Sequence, residues 1–345
     1  MSDIVRRVDS HLRHLITTHR RERTVISAYL DVVYDEIEAL VFNGGKRLRP
    51  QFCHWGWVAA GGDAAADRPS QLGAAVELVH VMALLHDDVI DDADTRRGAV
   101  TAHRRLAARH GEQSLAGEAR RYGEGLAVLI GDITAVMADE MVGDLDPEAR
   151  LVWNELRLEM NLGQFLDTIG SAHRDRSEQF ARTVSRFKSA KYTIERPLHL
   201  GAMAADTGSG ASLLGMLTGY GIPLGEAFQL RDDVLGAFGA EETVGKPVGG
   251  DFREGKPTPM LAVARERATG AQRAVLDMVG DPALDAPGIA AIQEVVVATG
   301  ARDEMESRID VLCVRALEAL DESRLAGGSH AALVQLVAQV SNRQS

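Results

Sequence analysis

A long apolar stretch of the chain covers residues 72–85 and is interrupted only by Gly73, Glu77 and His80. Its apolar residues recur on every side at the helical period, a pattern that predicts a helix buried on most sides. A second apolar run of helical character covers residues 213–230. No segment sustains the alternation of a half-buried strand, so the pattern predicts an all-α fold.

Glycines and prolines divide the rest of the chain into further predicted helices. These cover residues 3–42, 101–110, 125–138, 147–169 and 177–206. The last of them contains Pro197, near which we expect a small break. After residue 256 we expect helices and turns to the end of the chain. Successive apolar helices with short connections predict a helical bundle around a central cavity.

Length and composition restrict the class of protein. The 345 residues allow one large domain or two small ones, and 45% hydrophobic residues suffice for a full core. The balance of 50 acidic against 38 basic residues gives a net charge of −12, which argues against a nucleic-acid partner. Two cysteines far apart in sequence, no signal peptide and no apolar run of about 18 residues predict a cytoplasmic protein without a membrane span.

Four aspartates follow the first apolar run: Asp87, Asp88, Asp91 and Asp92. Asp87 and Asp91 are four residues apart, as are Asp88 and Asp92, so each pair lies on one helix face. Two carboxylates about 5.5 Å apart repel each other by roughly 3 kcal/mol at an effective dielectric constant near 20. Such a group needs a counter-charge, and Mg²⁺ typically binds one or two carboxylates together with substrate phosphates.

The residues around these aspartates favour a metal–diphosphate site over the alternative, a solvated acidic helix end. Arg96 and Arg97 follow within two turns and suit phosphate oxygens. A second acidic helix end, Asp232 and Asp233, follows residues 213–230 and is itself followed by a glycine-rich segment with two lysines. Two such helix ends facing each other across a cavity would hold a cluster of Mg²⁺ ions around a diphosphate.

Five ordered motifs make the chain similar to the trans-isoprenyl diphosphate synthases, also called polyprenyl synthetases. They are Gly44-Gly45-Lys46-Arg47-Leu48-Arg49-Pro50 for GGKRxRP, Asp87 to Gly98 for DDxxD(x)4RRG, Phe228 to Asp233 for FQxxDD, and the pairs Gly245-Lys246 and Gly255-Lys256. The resemblance covers about residues 20–340. It implies a single domain over residues 1–345 with the helical bundle of the isoprenoid synthases, and a homodimer.

The same resemblance implies an enzyme that condenses isopentenyl diphosphate with an allylic diphosphate, using a cluster of three Mg²⁺ ions. The implied metal ligands are Asp87, Asp91 and Asp232. The implied catalytic residues are Asp87, Asp88, Asp91, Lys188, Ser189 and Asp232. For isopentenyl diphosphate the implied residues are Lys46, Arg49, His80 and Arg97. For the allylic diphosphate they are Arg96, Lys188, Ser189, Gln229, Lys246 and Lys256.

Taken singly, several of these residues have a less specific interpretation. A lone histidine on an apolar face, such as His80, is usually a satisfied core residue, and a lysine within a helix, such as Lys188, usually faces solvent. Lys46 and Arg49 could form only a basic helix cap worth about 0.3–1 kcal/mol. The combination of motifs favours the functional interpretation.

Charged residues outside the motifs receive weaker predictions. We expect the following side chains at the surface: Arg104, Arg105, Arg109, Lys191 and Arg196. Gln164 and Asp167 share one face of the helix over residues 147–169, where a supporting role near the cavity and a plain helix surface are both open.

One position departs from the family's pattern. The second motif is usually DDxxD, but Gly236 stands at its third aspartate. In the family the first aspartate of this motif is the main metal ligand, and it is present as Asp232. The resemblance therefore still implies an active enzyme, with Asp251 as a further source of negative charge near the metals.

Product length is predicted from the residues one turn before Asp87. In the family, bulky aromatic residues there stop growth at fifteen carbons and small ones allow longer products. Met82 is intermediate and Ala83 is small, so we expect geranylgeranyl diphosphate with twenty carbons. Farnesyl diphosphate and a product of twenty-five carbons are the alternatives.

Two rival functions come from other classes. A class I terpene cyclase typically has (N/D)DxxSxxxE, which from Asp232 requires Ser or Thr at Gly236 and Glu at Ala240. A non-catalytic partner subunit commonly loses an aspartate-rich motif, which Gly236 would fit. The GGKRxRP element argues against the cyclase, and the full basic set argues against the non-catalytic subunit.

Overall fold

Helices form nearly all of the chain in the computed structural model, which describes residues 3–173, 177–239, 249–281 and 283–341. The described strands are β1 (Thr95–Arg96) and β2 (Ala99–Val100), which pair as one short antiparallel hairpin. The predicted all-α fold is therefore confirmed.

The helices up to residue 204 are α1 (Asp3–Arg23), α2 (Asp31–Phe42), α3 (Leu48–Ala59), α4 (Arg68–Ile90), α5 (Ala102–Glu112), α6 (Ala119–Val142), α7 (Pro147–His173), α8 (Glu178–Ser185), a π-helix (Arg186–Glu195) and α9 (Arg196–Ala204). The later helices are α10 (Gly210–Phe238), α11 (Gly250–Glu254), α12 (Pro259–Arg267), α13 (Gly270–Leu276), α14 (Ala286–Ala298), α15 (Ala301–Glu318) and α16 (Ser329–Ser341). Short 3₁₀ turns cover Ala28–Leu30 and Glu322–Arg324.

One compact unit comprises residues 1–151 and 197–211. Its central helix is α4, which packs against α6, α3, α1, α2 and α5 and is buried along most of its length, as its all-round apolar pattern predicts. Glycines permit the closest approaches. A Cβ at Gly131 of α6 would lie 2.2 Å from Nε2 of His86 on α4, so a glycine is needed for this close packing.

The second compact unit comprises residues 152–196 and 212–345. It contains most of α7, then α8, the π-helix, and most of α10 with the helices that follow it. A Cβ at Gly225 of α10 would lie 2.6 Å from Cα of Ala190, so α10 and the π-helix touch backbone to backbone. No described helix of either unit is both long and apolar enough to cross a membrane.

The predicted helix over residues 3–42 is wrong in its middle. The chain leaves the helix after Arg23 and forms a 3₁₀ turn whose cap is Ser27, where the Ser27 hydroxyl accepts a hydrogen bond from the Tyr29 N–H at 3.3 Å. The intervening Val25 and Ile26 are 82% and 73% exposed. β-Branched residues that gain no packing favour the helix only weakly.

The predicted break near Pro197 is present, and it has the form of a π-helix over Arg186–Glu195. Proline has no N–H to bond the carbonyl four residues earlier, so the regular hydrogen-bond ladder is interrupted there. The chain runs through this segment without leaving the helix, because the wider turn replaces the α-helical one.

Candidate active site

The first acidic motif lies at the C-terminal end of α4, where the β1–β2 hairpin brings Arg96 back onto it. The Arg96 guanidinium donates to Oδ1 of Asp88 at 2.7 Å and to Oδ2 of Asp87 at 2.9 Å. Asp88 is 1% exposed, so its carboxylate is directed at Arg96 inside the fold. Burial alone would lower the pKa of Arg96, but the charges of Asp88 and Asp87 outweigh it and hold that pKa above its usual value.

Asp87 and Asp91 are the aspartates of this motif that fit a metal ion. Both are partly exposed and lie one turn apart, with Asp91 as the C-cap of α4. Within the described ranges, no three histidine, cysteine or carboxylate side chains gather into a complete protein site. A pair of carboxylates open to solvent is the donor set of a Mg²⁺ ion that completes its shell with phosphate oxygens and water.

The geometry of the hairpin turn explains why Arg97 contacts His80, whereas Arg96 contacts the aspartates. Arg96 pairs with Ala99, so Arg97 and Gly98 are the two loop residues, with φ of 54° and 74°. Positive φ at both positions is the pattern of a type I′ turn. The left-handed conformation of Arg97 places its Nη2 3.4 Å from Nε2 of His80 on α4.

His80 and the arginines of the predicted isopentenyl diphosphate site form a cation cluster within the first unit. Burial is the main cause that lowers the pKa of His80 well below its usual value, and Arg49 and Arg97 lower it further. Burial likewise lowers the pKa of Arg97. The charge of Glu77 raises this pKa, and the charges of Arg49 and Arg47 lower it further. The imidazole is therefore neutral, and the cluster has an excess of positive charge that favours an anion.

The glycines of GGKRxRP make room for this cluster. Gly44 and Gly45 have φ of 80° and 104°, conformations that other residues rarely adopt. A Cβ at Gly45 would lie 3.2 Å from Nη1 of Arg47 and 3.5 Å from Nη1 of Arg97. The turn thus needs glycine both for its backbone and for the approach of two guanidinium groups.

Arg47 has a role that the sequence did not reveal. It is 5% exposed, and it donates to Glu77 at 2.8 Å and to Asp9 at 2.9 Å. Glu77, which interrupts the apolar run of α4, is 3% exposed and serves as the buried counter-charge of this arginine. A carboxylate within an apolar run is itself the signal for such a partner, because an unpaired buried charge is costly.

Lys188 of the predicted allylic site is held by a carboxylate of the second unit. Its Nζ lies 2.6 Å from Oδ2 of Asp167 on α7, which is 7% exposed. A Cβ at Gly163 would lie 2.2 Å from the Lys188 backbone nitrogen, so α7 and the π-helix are in direct backbone contact. The Nε2 atom of Gln164 is buried without a hydrogen-bond partner within the described residues, and Ser189 is partly exposed on the π-helix.

The predicted surface positions of Lys191 and Arg196 are wrong. Glu159 of α7 is 7% exposed and binds Lys191 at 2.5 Å and Arg196 at 2.6 Å. Glu195 adds a second carboxylate, 3.6 Å from Lys191, and accepts from Thr218 at 2.9 Å. These charges form a nearly buried network that links the π-helix to Glu159 of α7.

Two of the three arginines expected to be solvated are also paired. Arg105 binds the carboxylate of Glu36, which is 3% exposed, and Arg104 binds Asp92 at 3.0 Å and Asp94 at 2.9 Å. Arg109 is exposed, as predicted. Whether each arginine is paired depends on a carboxylate elsewhere in the sequence. The spacing of charges along one helix does not reveal that carboxylate.

The second acidic motif lies at the end of α10. Gln229 donates to Oδ1 of Asp233 at 2.8 Å, and burial raises the pKa of Asp233 to about 8 although this hydrogen bond lowers it. Asp232 is partly exposed, as a metal ligand would be. Lys256 follows α11 and lies 2.6 Å from Glu254. Lys246, also predicted for this site, lies outside the described residues.

The carboxylate of Asp251 fills the space beside Gly236 in the second unit. A Cβ at Gly236 would lie 2.5 Å from Oδ2 of Asp251. The carboxylate of Asp251 thus stands where a side chain at position 236 would begin. The missing third aspartate of the motif is matched by a nearby carboxylate from another element.

Met82 and Ala83, predicted to limit product length, differ in their surroundings. Met82 is 6% exposed, whereas Ala83 is partly exposed. Ala83 lies four residues before Asp87 and three after His80, so the three share one face of α4.

Comparison with known proteins agrees with these motifs. The Polyprenyl synthetase family model matches residues 31–295. The chain is 31% identical to the geranylfarnesyl diphosphate synthase of Aeropyrum pernix over 81% of this chain and 84% of that one. It is also 31% identical to the nonaprenyl diphosphate synthase of Mycobacterium tuberculosis over 84% of this chain and 85% of that one.

A solved structure extends the similarity to the whole fold. The geranylgeranyl pyrophosphate synthase of Corynebacterium glutamicum, crystallised with isoprenyl diphosphate and magnesium, is 36% identical and covers 97% of both chains with a TM-score of 0.91. The matched region contains both acidic motifs, the cation cluster and the π-helix lysine. This chain belongs to the polyprenyl synthetase family.

Proposed function

We propose that the chain is a Mg²⁺-dependent trans-prenyltransferase that condenses isopentenyl diphosphate with an allylic diphosphate, and that its main product is geranylgeranyl diphosphate. The observation that carries this proposal is the end of α4. There one helix presents two partly exposed carboxylates, Asp87 and Asp91, and the β1–β2 hairpin brings Arg96 to the first of them. On the same unit Arg97 meets a neutral His80.

The cation cluster supports binding of isopentenyl diphosphate by Lys46, Arg49 and Arg97. A guanidinium can only donate, so Nε2 of His80 accepts from Arg97 and the imidazole proton lies on Nδ1. His80 thereby orients Arg97 without adding a charge that would repel it. This arrangement keeps all the positive charge of the cluster on groups that suit phosphate oxygens.

On the allylic side, we propose that Arg96, Lys188 and Lys256 bind the diphosphate, together with Lys246. Mg²⁺ bound by Asp87, Asp91 and Asp232 would supply the charge that stabilises the departing diphosphate. The fixed cations lower the energy of the negative charge that develops as the C–O bond breaks. The double bond of isopentenyl diphosphate then attacks the allylic cation, and the released diphosphate takes the proton whose loss restores a double bond.

Product length is proposed from the α4 face that carries Asp87. One helical turn spans about 5.4 Å, so Ala83 is the first side chain below the aspartate on that face. Its small volume leaves room for a tail longer than fifteen carbons. The relatives include synthases of several product lengths, so similarity alone does not determine the product. The proposed length therefore rests on the residues of this chain.

Product analysis tests the activity. Purified protein is incubated with Mg²⁺, isopentenyl diphosphate and each allylic primer in turn, and the dephosphorylated products are separated by chromatography. Asp87→Ala and Asp232→Ala should lose nearly all turnover while unfolding at wild-type temperatures. The matched control is Asp92→Ala, an exposed aspartate of the same helix end whose partner is Arg104. Wild-type turnover of Asp87→Ala at saturating Mg²⁺ would contradict the metal assignment.

We further propose that the enzyme is a homodimer that pairs through α7. Large apolar side chains recur along one exposed face of this helix: Leu158 is 53% exposed, Leu162 48%, Phe165 62% and Ile169 39%. Their spacing of four, three and four residues is that of a coiled-coil seam. A face of this kind is self-complementary, so a second copy of the chain covers it by two-fold symmetry.

Light scattering coupled to size-exclusion chromatography tests the dimer. Phe165→Glu should convert the protein to a monomer, because it places a charge at the centre of the apolar seam. Val314→Glu on α15 is the matched control, since Val314 is equally apolar and 53% exposed. A monomeric wild type, or a dimeric Phe165→Glu variant, would contradict the proposal.

A further inference from the structure

Arg47 is the buried member of the basic motif that also contains Lys46 and Arg49. It is 5% exposed, whereas Lys46 is exposed and Arg49 is partly exposed. Its neighbours in the motif are therefore accessible to a ligand, and Arg47 itself lies inside the fold. An arginine is rarely buried, because its charge and its donors then need partners within the protein.

All three nitrogen atoms of the Arg47 guanidinium group are engaged, each by a different helix. Nε donates to Oδ1 of Asp9 on α1 at 2.9 Å, and Nη1 donates to Oε1 of Glu77 on α4 at 2.8 Å. Nη2 donates to the carbonyl of Val41, in the last turn of α2, at 2.5 Å. The guanidinium group is planar and rigid, so these contacts fix both its position and its plane.

The backbone of Arg47 has a conformation that needs such a constraint. Its φ of 50° and ψ of 41° lie in the left-handed region, and it is the N-cap of α3 without a capping hydrogen bond from its side chain. This conformation is unfavourable for a residue with a Cβ and persists where the surrounding structure enforces it. The bound guanidinium group supplies that enforcement, because it holds the side chain to three helices.

The conformation of Arg47 determines how Lys46 and Arg49 are placed relative to each other. Lys46 precedes it, and Arg49 lies in the first turn of α3. Gln51 of α3 donates through Nε2 to the Lys46 carbonyl at 2.9 Å and to the Arg47 carbonyl at 3.3 Å. The peptide units on both sides of Arg47 are thus attached to α3, so a change of φ at Arg47 would move Lys46 away from its place beside Arg49.

The guanidinium group of Arg47 also lies close to that of Arg97. A Cβ at Gly45 would lie 3.2 Å from Nη1 of Arg47 and 3.5 Å from Nη1 of Arg97, so the two groups flank the same point. Like charges at this separation repel each other. Glu77 supplies the opposing charge, since it binds Arg47 and counteracts the lowering of the Arg97 pKa by burial. Arg47 and Glu77 together therefore add no net charge beside the cation cluster.

We propose that Arg47 is a positioning residue for isopentenyl diphosphate, whose hydrogen bonds to α1, α2 and α4 hold Lys46 and Arg49 in the orientation that binds the diphosphate; the proposal rests on the proposed function. Arg47 acts through its neighbours and does not itself contact the substrate. The two cations are ordered on folding, so their ordering does not weaken the binding of the ligand. Lysine has a single charged nitrogen and cannot reproduce this planar set of contacts.

Equilibrium dialysis of isopentenyl diphosphate in the presence of EDTA tests the positioning without turnover. Arg47→Lys keeps the charge but loses the planar contacts, and it should weaken binding about tenfold, or by about 1.4 kcal/mol. Binding of a non-hydrolysable allylic diphosphate analogue with Mg²⁺ should stay within about twofold of the wild type. Steady-state kinetics should show the same division, with a higher KM for isopentenyl diphosphate and an unchanged KM for the allylic substrate.

Arg196→Lys is the matched control for a purely structural effect. Arg196 also donates two hydrogen bonds to a nearly buried carboxylate, that of Glu159, but it belongs to the second unit. This variant should lower the temperature of unfolding, as Arg47→Lys does, and leave the affinity for isopentenyl diphosphate unchanged. Equal losses of affinity in the two variants, or none in Arg47→Lys, would overturn the proposal.

Substitution of Glu77 separates orientation from charge. Glu77→Gln keeps an oxygen that can accept from Nη1 of Arg47, whereas Glu77→Leu is of similar size and has no acceptor. Both remove the same negative charge. Glu77→Leu should weaken binding of isopentenyl diphosphate about tenfold, and Glu77→Gln should stay within about threefold of the wild type. Equal affinities of the two variants would contradict a role through orientation. A wild-type protein that does not bind isopentenyl diphosphate would contradict the proposed function instead.

Discussion

Replacement of Glu159 would disrupt the charge network around the π-helix. The carboxylate is 7% exposed and binds Arg196 at 2.6 and 2.8 Å and Lys191 at 2.5 Å. Glu159→Ala leaves two nearly buried cations without this partner, a change that typically costs about 3–5 kcal/mol. Glu195 lies 3.6 Å from Lys191 and 4.0 Å from Arg196 and compensates in part, so we expect a loss of about 3 kcal/mol.

Urea denaturation at neutral pH measures this loss as a lower midpoint of unfolding. Glu155→Ala is the matched control, because Glu155 is an exposed carboxylate one turn earlier on α7. Its effect should stay within about 0.5 kcal/mol. A triple variant with Glu159→Leu, Lys191→Met and Arg196→Met should regain much of the stability, since removing every charge leaves none unpaired.

The pH dependence of the same variant supplies an independent test. Burial alone would raise the pKa of Glu159, but hydrogen bonds from Arg196 and Lys191 outweigh it and hold the pKa below its usual value. A carboxylate whose pKa is lower in the folded state stabilises the protein above its unfolded pKa and loses this effect as the pH falls through the folded value. The difference between wild type and Glu159→Ala should therefore shrink below about pH 4.5. A difference under about 1 kcal/mol at neutral pH would refute the assignment of this network to stability.

The remaining predictions concern product length and the second acidic motif. Ala83→Phe should shorten the main product and Met82→Ala should lengthen it, because these side chains lie one turn before the metal-binding aspartate; chromatography measures both, and unchanged lengths would show that α4 does not set the limit. Gly236→Ala should raise the Mg²⁺ concentration needed for half-maximal turnover, because its Cβ would lie 2.5 Å from Oδ2 of Asp251. Gly215→Ala on the same helix has no atom within 4 Å and should keep the wild-type requirement.

The helices were predictable where one physical cause determined them. The all-round apolar pattern of residues 72–85 gave α4, because only a buried helix repeats apolar residues on every side. The same criterion failed at residues 24–30. Val25 and Ile26 have the side chains of a core but are exposed, and no local signal distinguishes an apolar residue in a core from one on a surface.

Charge partners were the least predictable part of the site. The motifs identified Arg96 and Arg97, but the pairing of Lys191 and Arg196 with Glu159 joins residues more than thirty positions apart. A lysine or arginine on a helix looks solvated until the fold places a carboxylate beside it. Glu77 was the exception, since its place in an apolar run required a partner that the structure identifies as Arg47.

The β1–β2 hairpin gives a structural reason for the fixed spacing between the aspartates and the arginines of the first motif. Its two-residue turn directs consecutive arginines to different targets, Arg96 to the aspartates and Arg97 to His80. Arg96 ends β1 and Arg97 stands in the turn, so one inserted residue between Asp91 and Arg96 would move Arg96 into the turn position, away from the aspartates. The hairpin thus fixes which arginine reaches the carboxylates and which reaches the cation cluster. Insertions elsewhere in surface loops are tolerable, whereas here a single residue would uncouple the two halves of the motif.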